Sequence, residues 1–527
     1  MAEQSQRAHF SSRAGFLFAA IGSAVGLGNI WRFPYVAYQN GGGAFLIPYL
    51  TALLTAGIPL LFLDFAMGHR FRGSAPKTYR RLTKWSEPVG WIQVGISFFI
   101  TIYYAVIIAW SVLYAFKSFT KAWGDSPSKY FMGEFLHYDQ AATFSLSFVG
   151  PIAITLIVVW IMTIAILAAG VDEGIGKISK LFIPLLFVLF IIVVIFALTL
   201  HGASKGLNAF FTPDWSALSN PTVWISAYGQ IFFSLSVAFG IMLTYASYLK
   251  PRSNLTGTGL VTAFANSSFE LLAGIGVFAA LGFMATQSGT EVKDVAASGI
   301  GLAFIAFPTV ISQMGVLGPI FGFLFFLSLF IAGLTSLISL LEVVVGAVQD
   351  KLDLGRKPAT IGVGGLMAVI SVLLFPTTSG LTALDIMDKF TNSIGIVGVA
   401  IVSIIVVDWV CHRTEELALH LNAVSSFKVG NLWRIFVANI TPVVLAIMLS
   451  QEITKLIKEP YGGYSTSAIN IYGWGVLAII LIASSILAAL PWRGNQMLAG
   501  PPGTDFGVPT NHSLTPHEPK LAVDKEA

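Results

Sequence analysis

Apolar residues along this chain do not alternate with polar ones; they run on. Residues 152–169 (IAITLIVVWIMTIAILAA) and 181–200 (LFIPLLFVLFIIVVIFALTL) are almost unbroken. A helix needs about 20 such residues to cross roughly 30 Å of hydrocarbon, and lipid offers the backbone no hydrogen-bond partner. The pattern therefore predicts an all-α integral membrane protein with about twelve transmembrane helices. They fall over 14–36, 43–70, 89–116, 148–169, 177–199, 223–249, 257–284, 317–350, 359–376, 384–408, 431–450 and 469–490. The connections are short except 117–147, 200–222, 285–316 and 409–430, and none is long enough for a separate domain. Residues 1–490 read as one transmembrane domain, and 491–527, rich in Pro, Gly and charge, as a disordered tail.

Composition agrees. Of 527 residues, 55% are hydrophobic and 11% charged, against about 25% charged in soluble domains. Lysine and arginine set the orientation. Arg70, Arg72, Lys77, Arg80, Arg81 and Lys84 follow the second span. Later alternate loops hold Lys177 with Lys180, Lys250 with Arg252, and Lys351, Arg356 and Lys357. The positive-inside rule then puts both termini in the cytoplasm, in a plasma (cell inner) membrane. The net charge of +4 is spread over loops, so no nucleic-acid partner is implied. The single cysteine, Cys411, excludes an internal disulfide and a cysteine-based metal site. The N-terminus carries no cleavable signal pattern. There is no His-Glu-x-x-His motif and the eight histidines are scattered, so an enzyme is not expected.

Two spans break the apolar pattern. Gly22-Ser23-Ala24-Val25-Gly26-Leu27-Gly28-Asn29 puts three glycines and two polar side chains at mid-membrane depth, and Ser234-Leu235-Ser236-Val237-Ala238-Phe239-Gly240 does something similar in the sixth span. Each opens its own set of five spans. Glycine-interrupted segments at matching places in two halves point to broken helices around a central site, although glycines also serve as close-packing positions between helices. A break frees N–H and C=O groups that lipid cannot satisfy, at several kcal/mol each, so something polar must lie there. The N-terminal end of a half-helix suits a carboxylate; C-terminal ends and unwound carbonyls suit cations. A zwitterionic amino acid with sodium meets both needs. Asn29, Ser234, Asn266, Thr335 and Ser336 supply oxygens within spans, though such hydroxyls often bond their own helix at i−4.

The residues also carry a resemblance. Gly22 to Pro34 (GSAVGLGNIWRFP) with Asn40 to Phe45, Gln230 to Tyr248 (QIFFSLSVAFGIMLTYASY), and Ala332 to Ser336 (AGLTS) resemble the signatures of the neurotransmitter:sodium symporters. The likeness runs from Arg7 to about Trp492 and is close to the family's bacterial leucine transporters. It implies the leucine-transporter fold. In that fold a five-plus-five inverted repeat (about 14–199 and 223–408) is followed by two extra helices (about 431–490), and helices 1 and 6 are discontinuous. The family is also the standard illustration of discontinuous membrane helices, so the mid-membrane logic above is shared with it.

The resemblance implies residue roles. One sodium ion would be held by Ala24, Asn29, Ser234, Asn266 and the substrate carboxylate. A second would be held by Gly22, Val25, Ala332, Thr335 and Ser336. The substrate carboxylate would meet the N–H groups of Leu27 and Gly28 and the hydroxyl of Tyr104. Its ammonium would meet Ala24, Phe233, Ser234 and Ser236, while Ile100, Tyr104, Phe233, Phe239, Ser336 and Leu340 wall the side-chain pocket. Gly26 stands where monoamine carriers have an aspartate, which implies a substrate with its own carboxylate. Glu270 matches the acidic residue of chloride-independent members, so no chloride is expected. Arg32 with Asp388 would form an outer gate, and Arg7 with Asp350 an inner one, near Phe10 where tryptophan is common.

Ser234 replaces a threonine of the leucine transporters and keeps the oxygen. Ala238 for glycine and Ile100 for valine should narrow the pocket, whereas Leu340 for isoleucine conserves volume. Glu342, where glutamine is usual, has no assigned role. The function implied is sodium-coupled, chloride-independent symport of a small or medium apolar amino acid by alternating access. A sodium-dependent binding homologue or an ion channel without coupled transport is the alternative. The partners implied are the substrate and the lipid bilayer, with homodimer formation left open.

Overall fold

The computed structural model describes residues 9–297, 299–494 and 498. Helices make up the described chain and no strand forms among the described residues. Ten helices are each long and apolar enough to cross a bilayer. They are Gly43–Phe71, Lys84–Lys117, Gly150–Ala168, Val171–Leu198, Leu255–Ser288, Gly315–Leu352, Arg356–Leu374, Gly380–Val410, Asn431–Gly463 and Thr466–Ala489. These are spans 2–5 and 7–12. Span 1 is a bent pair, Arg13–Ala24 and Leu27–Gln39, with 50° between its halves.

Span 6 is also in two pieces, Pro221–Ser234 and Ile241–Ala246. The first piece has 14 residues. At about 1.5 Å per residue it cannot reach across roughly 30 Å of hydrocarbon. The expected discontinuities therefore appear in both spans where glycines and serines interrupt the apolar run.

Spans 3 and 8 pack against each other along their length and are mostly buried, as is span 7. Spans 4, 5, 9, 11 and 12 expose most of their apolar surface, including Ile154, Ile161, Leu181, Ile361, Val443 and Ile482. An apolar rim around a buried, more polar centre is what a lipid solvent selects.

The loops contain helices of their own. Ala75–Leu82 follows span 2, Ala203–Phe211 follows span 5, and Thr414–Val424 follows span 10. Helix 11 runs to Lys458, beyond the expected end at 450, because the charged stretch from Glu452 stays helical outside the apolar zone, with Glu452 paired to Lys389 of span 10. Pro491–Gly494, read from composition as the start of a disordered tail, lies against the ends of spans 3 and 8. Of the expected tail, 495–497 and 499–527 lie outside the described residues, as does Arg7.

Candidate functional site

The span 1 break is two residues long. Helix Arg13–Ala24 ends at Val25, whose ψ of 92° is extended, and Gly26 (φ −120°, ψ −168°) begins the next helix. Asn29 holds the new N-terminus: its Oδ1 accepts the Gly26 N–H at 2.9 Å. The Leu27 N–H donates to the Tyr104 hydroxyl at 3.2 Å, which ties the break to span 3.

The span 6 break is longer. After Ser234 the chain turns through three positive φ values: Ser236 at 54°, Ala238 at 66° and Gly240 at 88°. Glycine takes this conformation freely, but at Ser236 and Ala238 it costs roughly 1–3 kcal/mol each, so neighbouring groups must hold it. The Ser236 hydroxyl donates to the Ser23 carbonyl at 3.0 Å, and the Ala238 N–H donates to Asp64 Oδ2 of span 2 at 2.9 Å. Ser97 of span 3 donates to the Phe239 carbonyl at 2.9 Å. The two breaks thus lie side by side and are stitched together.

Several of the residues expected to hold cations meet at these breaks. In the first expected set, Asn29 Nδ2 donates to Asn266 Oδ1 at 2.8 Å, and Asn266 donates in turn to the Ser234 hydroxyl. Asn29 is 2% exposed, Asn266 fully buried and Ala24, the last residue of the half-helix, 3% exposed. In the second, Ser336 Oγ lies 3.2 Å from the Gly22 carbonyl, and Thr335 Oγ1 lies 3.1 Å from that of Ala332. Val25 is fully buried beside them. Ser336 thus ties span 8 to the end of the first half-helix, while Thr335 bonds the Ile331 and Ala332 carbonyls of its own helix.

Gly26 and Gly28 are closely approached by side chains of spans 3, 6 and 8. A Cβ at Gly26 would stand 3.1 Å from Ser336 Oγ and 3.3 Å from the Tyr104 hydroxyl, and one at Gly28 would stand 2.9 Å from the Phe233 ring. Ile100 and Leu340 share helix faces with Tyr104 and Ser336, one turn away. Ile100, Ser236, Phe239 and Leu340 are all buried. Gly26, Gly28, Tyr104, Phe233, Arg32 and Asp388 are only half-buried, so exposure rises from the breaks toward the outer gate residues.

The residues expected at the two gates are held differently. Arg32 lies over the Phe233 ring, 4.4 Å from its centroid. Asp388 instead accepts hydrogen bonds from Tyr103 and Asn392, each at 2.8 Å, and makes no ion pair with Arg32. At the place expected for the inner gate, Asp350 accepts the Ser74 N–H at 2.8 Å and pairs with Lys77 at 3.7 Å. The Phe10 N–H donates to the Tyr248 carbonyl at 3.2 Å, and the Phe10 ring packs against Phe16, Tyr245 and Tyr248.

Glu270 is fully buried and accepts from Gln230 Nε2 at 2.7 Å and from the Tyr49 hydroxyl. Glu342, also fully buried, gains its partners here: Arg356 at 2.6 Å and the Tyr248 hydroxyl at 2.5 Å. The sequence reading missed Asp64, Tyr49, Gln230, Tyr103 and Asn392. Asp64 carried a signal, as the one acidic residue in the run Ile58–Met67. The reasoning that flagged Glu270, that an ionisable group at membrane depth is functional by default, applies to it equally.

Comparison with known proteins adds to this geometry. The model of the sodium:neurotransmitter symporter family matches residues 7–131 and 124–494. An uncharacterized sodium-dependent transporter of Methanocaldococcus jannaschii is 40% identical over 92% of this chain and 97% of its own. The sodium-dependent serotonin transporter of Drosophila melanogaster is 33% identical, over 83% of this chain and 75% of its own. The sodium- and chloride-dependent glycine transporter 2 of Xenopus laevis is 28% identical, over 91% of this chain and 68% of its own.

Proposed function

The chain belongs to the sodium:neurotransmitter symporter family of multi-pass membrane transporters, and from that premise we propose that it is a chloride-independent symporter coupling two sodium ions to a small or medium apolar amino acid. The observation that carries the reading is the meeting of two helix breaks, with an N-terminal N–H cluster on one side and oxygen clusters on the other. A carboxylate fits the Leu27–Gly28 amides and the Tyr104 hydroxyl, and would be shared with the sodium at Ala24, Asn29, Ser234 and Asn266. The second sodium fits Gly22, Val25, Ala332, Thr335 and Ser336. The ammonium fits the carbonyl ends at Ala24, Phe233 and Ser234, with Ser236.

Gly26 supports a true amino acid, because a Cβ there would stand 3.1 Å from Ser336 Oγ and 3.3 Å from the Tyr104 hydroxyl, which leaves little room for an aspartate to replace a substrate carboxylate. Glu270 supports chloride independence, since it supplies a fixed carboxyl to Tyr49 and Gln230 where an anion would otherwise be recruited. The packed Phe10–Tyr248 end and the parted Arg32 and Asp388 support an outward-facing state with its inner gate shut. Closing the outer gate would bring Arg32 to Asp388 over Phe233, and Asp350 would act with Arg7 on the inside. The repeats at 14–199 and 223–408 would rock around the site, in a cell inner membrane with both termini cytoplasmic.

Each sodium charge entering down 100 mV supplies about 2.3 kcal/mol, so two ions with a net-neutral substrate support roughly a thousandfold gradient. Proteoliposome uptake of labelled apolar amino acids tests the reading. Accumulation should require external sodium and persist when chloride is replaced by gluconate. Equal accumulation in potassium buffer would end the proposal.

A further inference from the structure

One buried carboxylate outside the site gathers donors from four parts of the chain. Glu87, at the cytoplasmic start of span 3, is 1% exposed. Its Oε1 accepts Lys351 Nζ of span 8 at 2.6 Å and Trp91 Nε1 at 3.0 Å. Its Oε2 accepts Trp492 Nε1 at 3.0 Å and lies 3.6 Å from Arg80 of the helix after span 2. Trp492 also places its ring 4.7 Å from Lys351 Nζ, and the next residue, Arg493, donates its backbone N–H to the Lys351 carbonyl at 3.0 Å.

That last bond satisfies one of the carbonyls that every helix leaves open at its C-terminus. The residue before Lys351 is Asp350, which holds the Ser74 N–H. The four residues after span 12 therefore grip the turn of span 8 that carries the inner-gate carboxylate. Trp492 and Arg493 do so through a cation–π contact and a backbone bond to Lys351, and the Trp492 indole also bonds Glu87, the partner of Lys351.

We infer that Pro491–Gly494 is a clamp on the last turn of span 8 that fixes Asp350 against Ser74, and that it gives the C-terminal tail a mechanical route to the inner gate. A segment that only finished the last helix would need no buried indole partner on span 3. The clamp rests on the reading of Asp350 as an inner-gate residue. Pulling on the tail, or binding something to it, would loosen the Asp350–Ser74 contact and favour cytoplasmic opening.

Amide hydrogen exchange of the full chain in nanodiscs tests this, because the Ser74 N–H reports the contact directly. In Trp492→Ala, exchange of the peptide covering 72–78 should rise about tenfold, the scale of one hydrogen bond to a charged partner. Trp492→Phe keeps a ring over Lys351 but removes the indole N–H, and should give a smaller rise; it carries the test if the alanine variant fails to fold. Faster exchange confined to 490–494, with 72–78 unchanged, would overturn the clamp. Absence of sodium-dependent uptake by the unaltered chain would sink the transport reading instead, and leaves the exchange result to decide the clamp by itself.

Discussion

Asn29→Ala removes the side chain that joins the span 1 break to the first oxygen cluster. Asn29 is 2% exposed and makes two hydrogen bonds, from the Gly26 N–H at 2.9 Å and to Asn266 Oδ1 at 2.8 Å. Truncation leaves the buried Asn266 oxygen unmatched, at about 1–3 kcal/mol, and the half-buried Gly26 N–H unmatched at a smaller cost. The whole fold is worth only about 5–15 kcal/mol in a typical domain, so the variant should fold with a clearly lowered melting temperature. It also removes an oxygen proposed to hold sodium. If about 1.4–3 kcal/mol of the loss falls on the sodium-bound form, sodium affinity drops ten- to about a hundredfold.

Because coupling between two ligands is reciprocal, substrate affinity at low sodium must fall with it and recover as sodium saturates. Substrate binding by scintillation proximity across a sodium titration reads this directly. Unchanged substrate affinity at low sodium would refute the shared site, whatever the melting temperature does.

Other perturbations reach different parts of the account. Glu270→Ser empties the position between Tyr49 and Gln230, so uptake should become dependent on chloride; uptake indifferent to chloride would remove Glu270 from that role. Arg356→Ala leaves Glu342 buried without its cation and should destabilise by about 3–5 kcal/mol. Adding Glu342→Gln should restore most of that in thermal unfolding, and no rescue would mean Arg356 acts through other contacts. His420, in the helix after span 10, bonds His69 at 2.9 Å and is held down to about 3 by burial, with Arg70 and Arg72 nearby. Its folded pKa lies below the unfolded value of about 6.5, so its contribution is intact above 6.5 and is lost as pH falls from there toward 3. The melting temperature should decline across that window, and His420→Gln should flatten the decline.

The spans were legible because lipid leaves few ways to satisfy a backbone, and runs such as 181–200 permit only a helix. The span 1 break was legible from Gly22, Gly26 and Gly28 with Asn29 beside them. In span 6 only Gly240 announced a positive φ. Ser236 and Ala238 adopt it because Ser23 and Asp64 hold them, and those partners lie more than 170 residues away. No local pattern encodes such a contact.

Glu342 was visible as an anomaly, and its cation, Arg356, was the second basic residue downstream, but the pairing needed the turn between spans 8 and 9. Pro491–Gly494 was read as disordered from composition, since the indole of Trp492 finds Glu87 only in the folded bundle. The Arg32–Asp388 pair was inferred as a contact, whereas Asp388 is taken by Tyr103 and Asn392.

The central claim is that the break at Val25–Gly26, with the Leu27 and Gly28 amides that open the next half-helix, receives a carboxylate which sodium shares. Competition binding of an apolar amino acid against its methyl ester, with and without sodium, tests it most directly. The free acid should bind only with sodium, and the ester, which keeps the ammonium and side chain but loses the anionic oxygens, should fail to compete at a hundredfold excess. An ester that competes as well as the acid, or an acid that binds equally in potassium, would contradict the account.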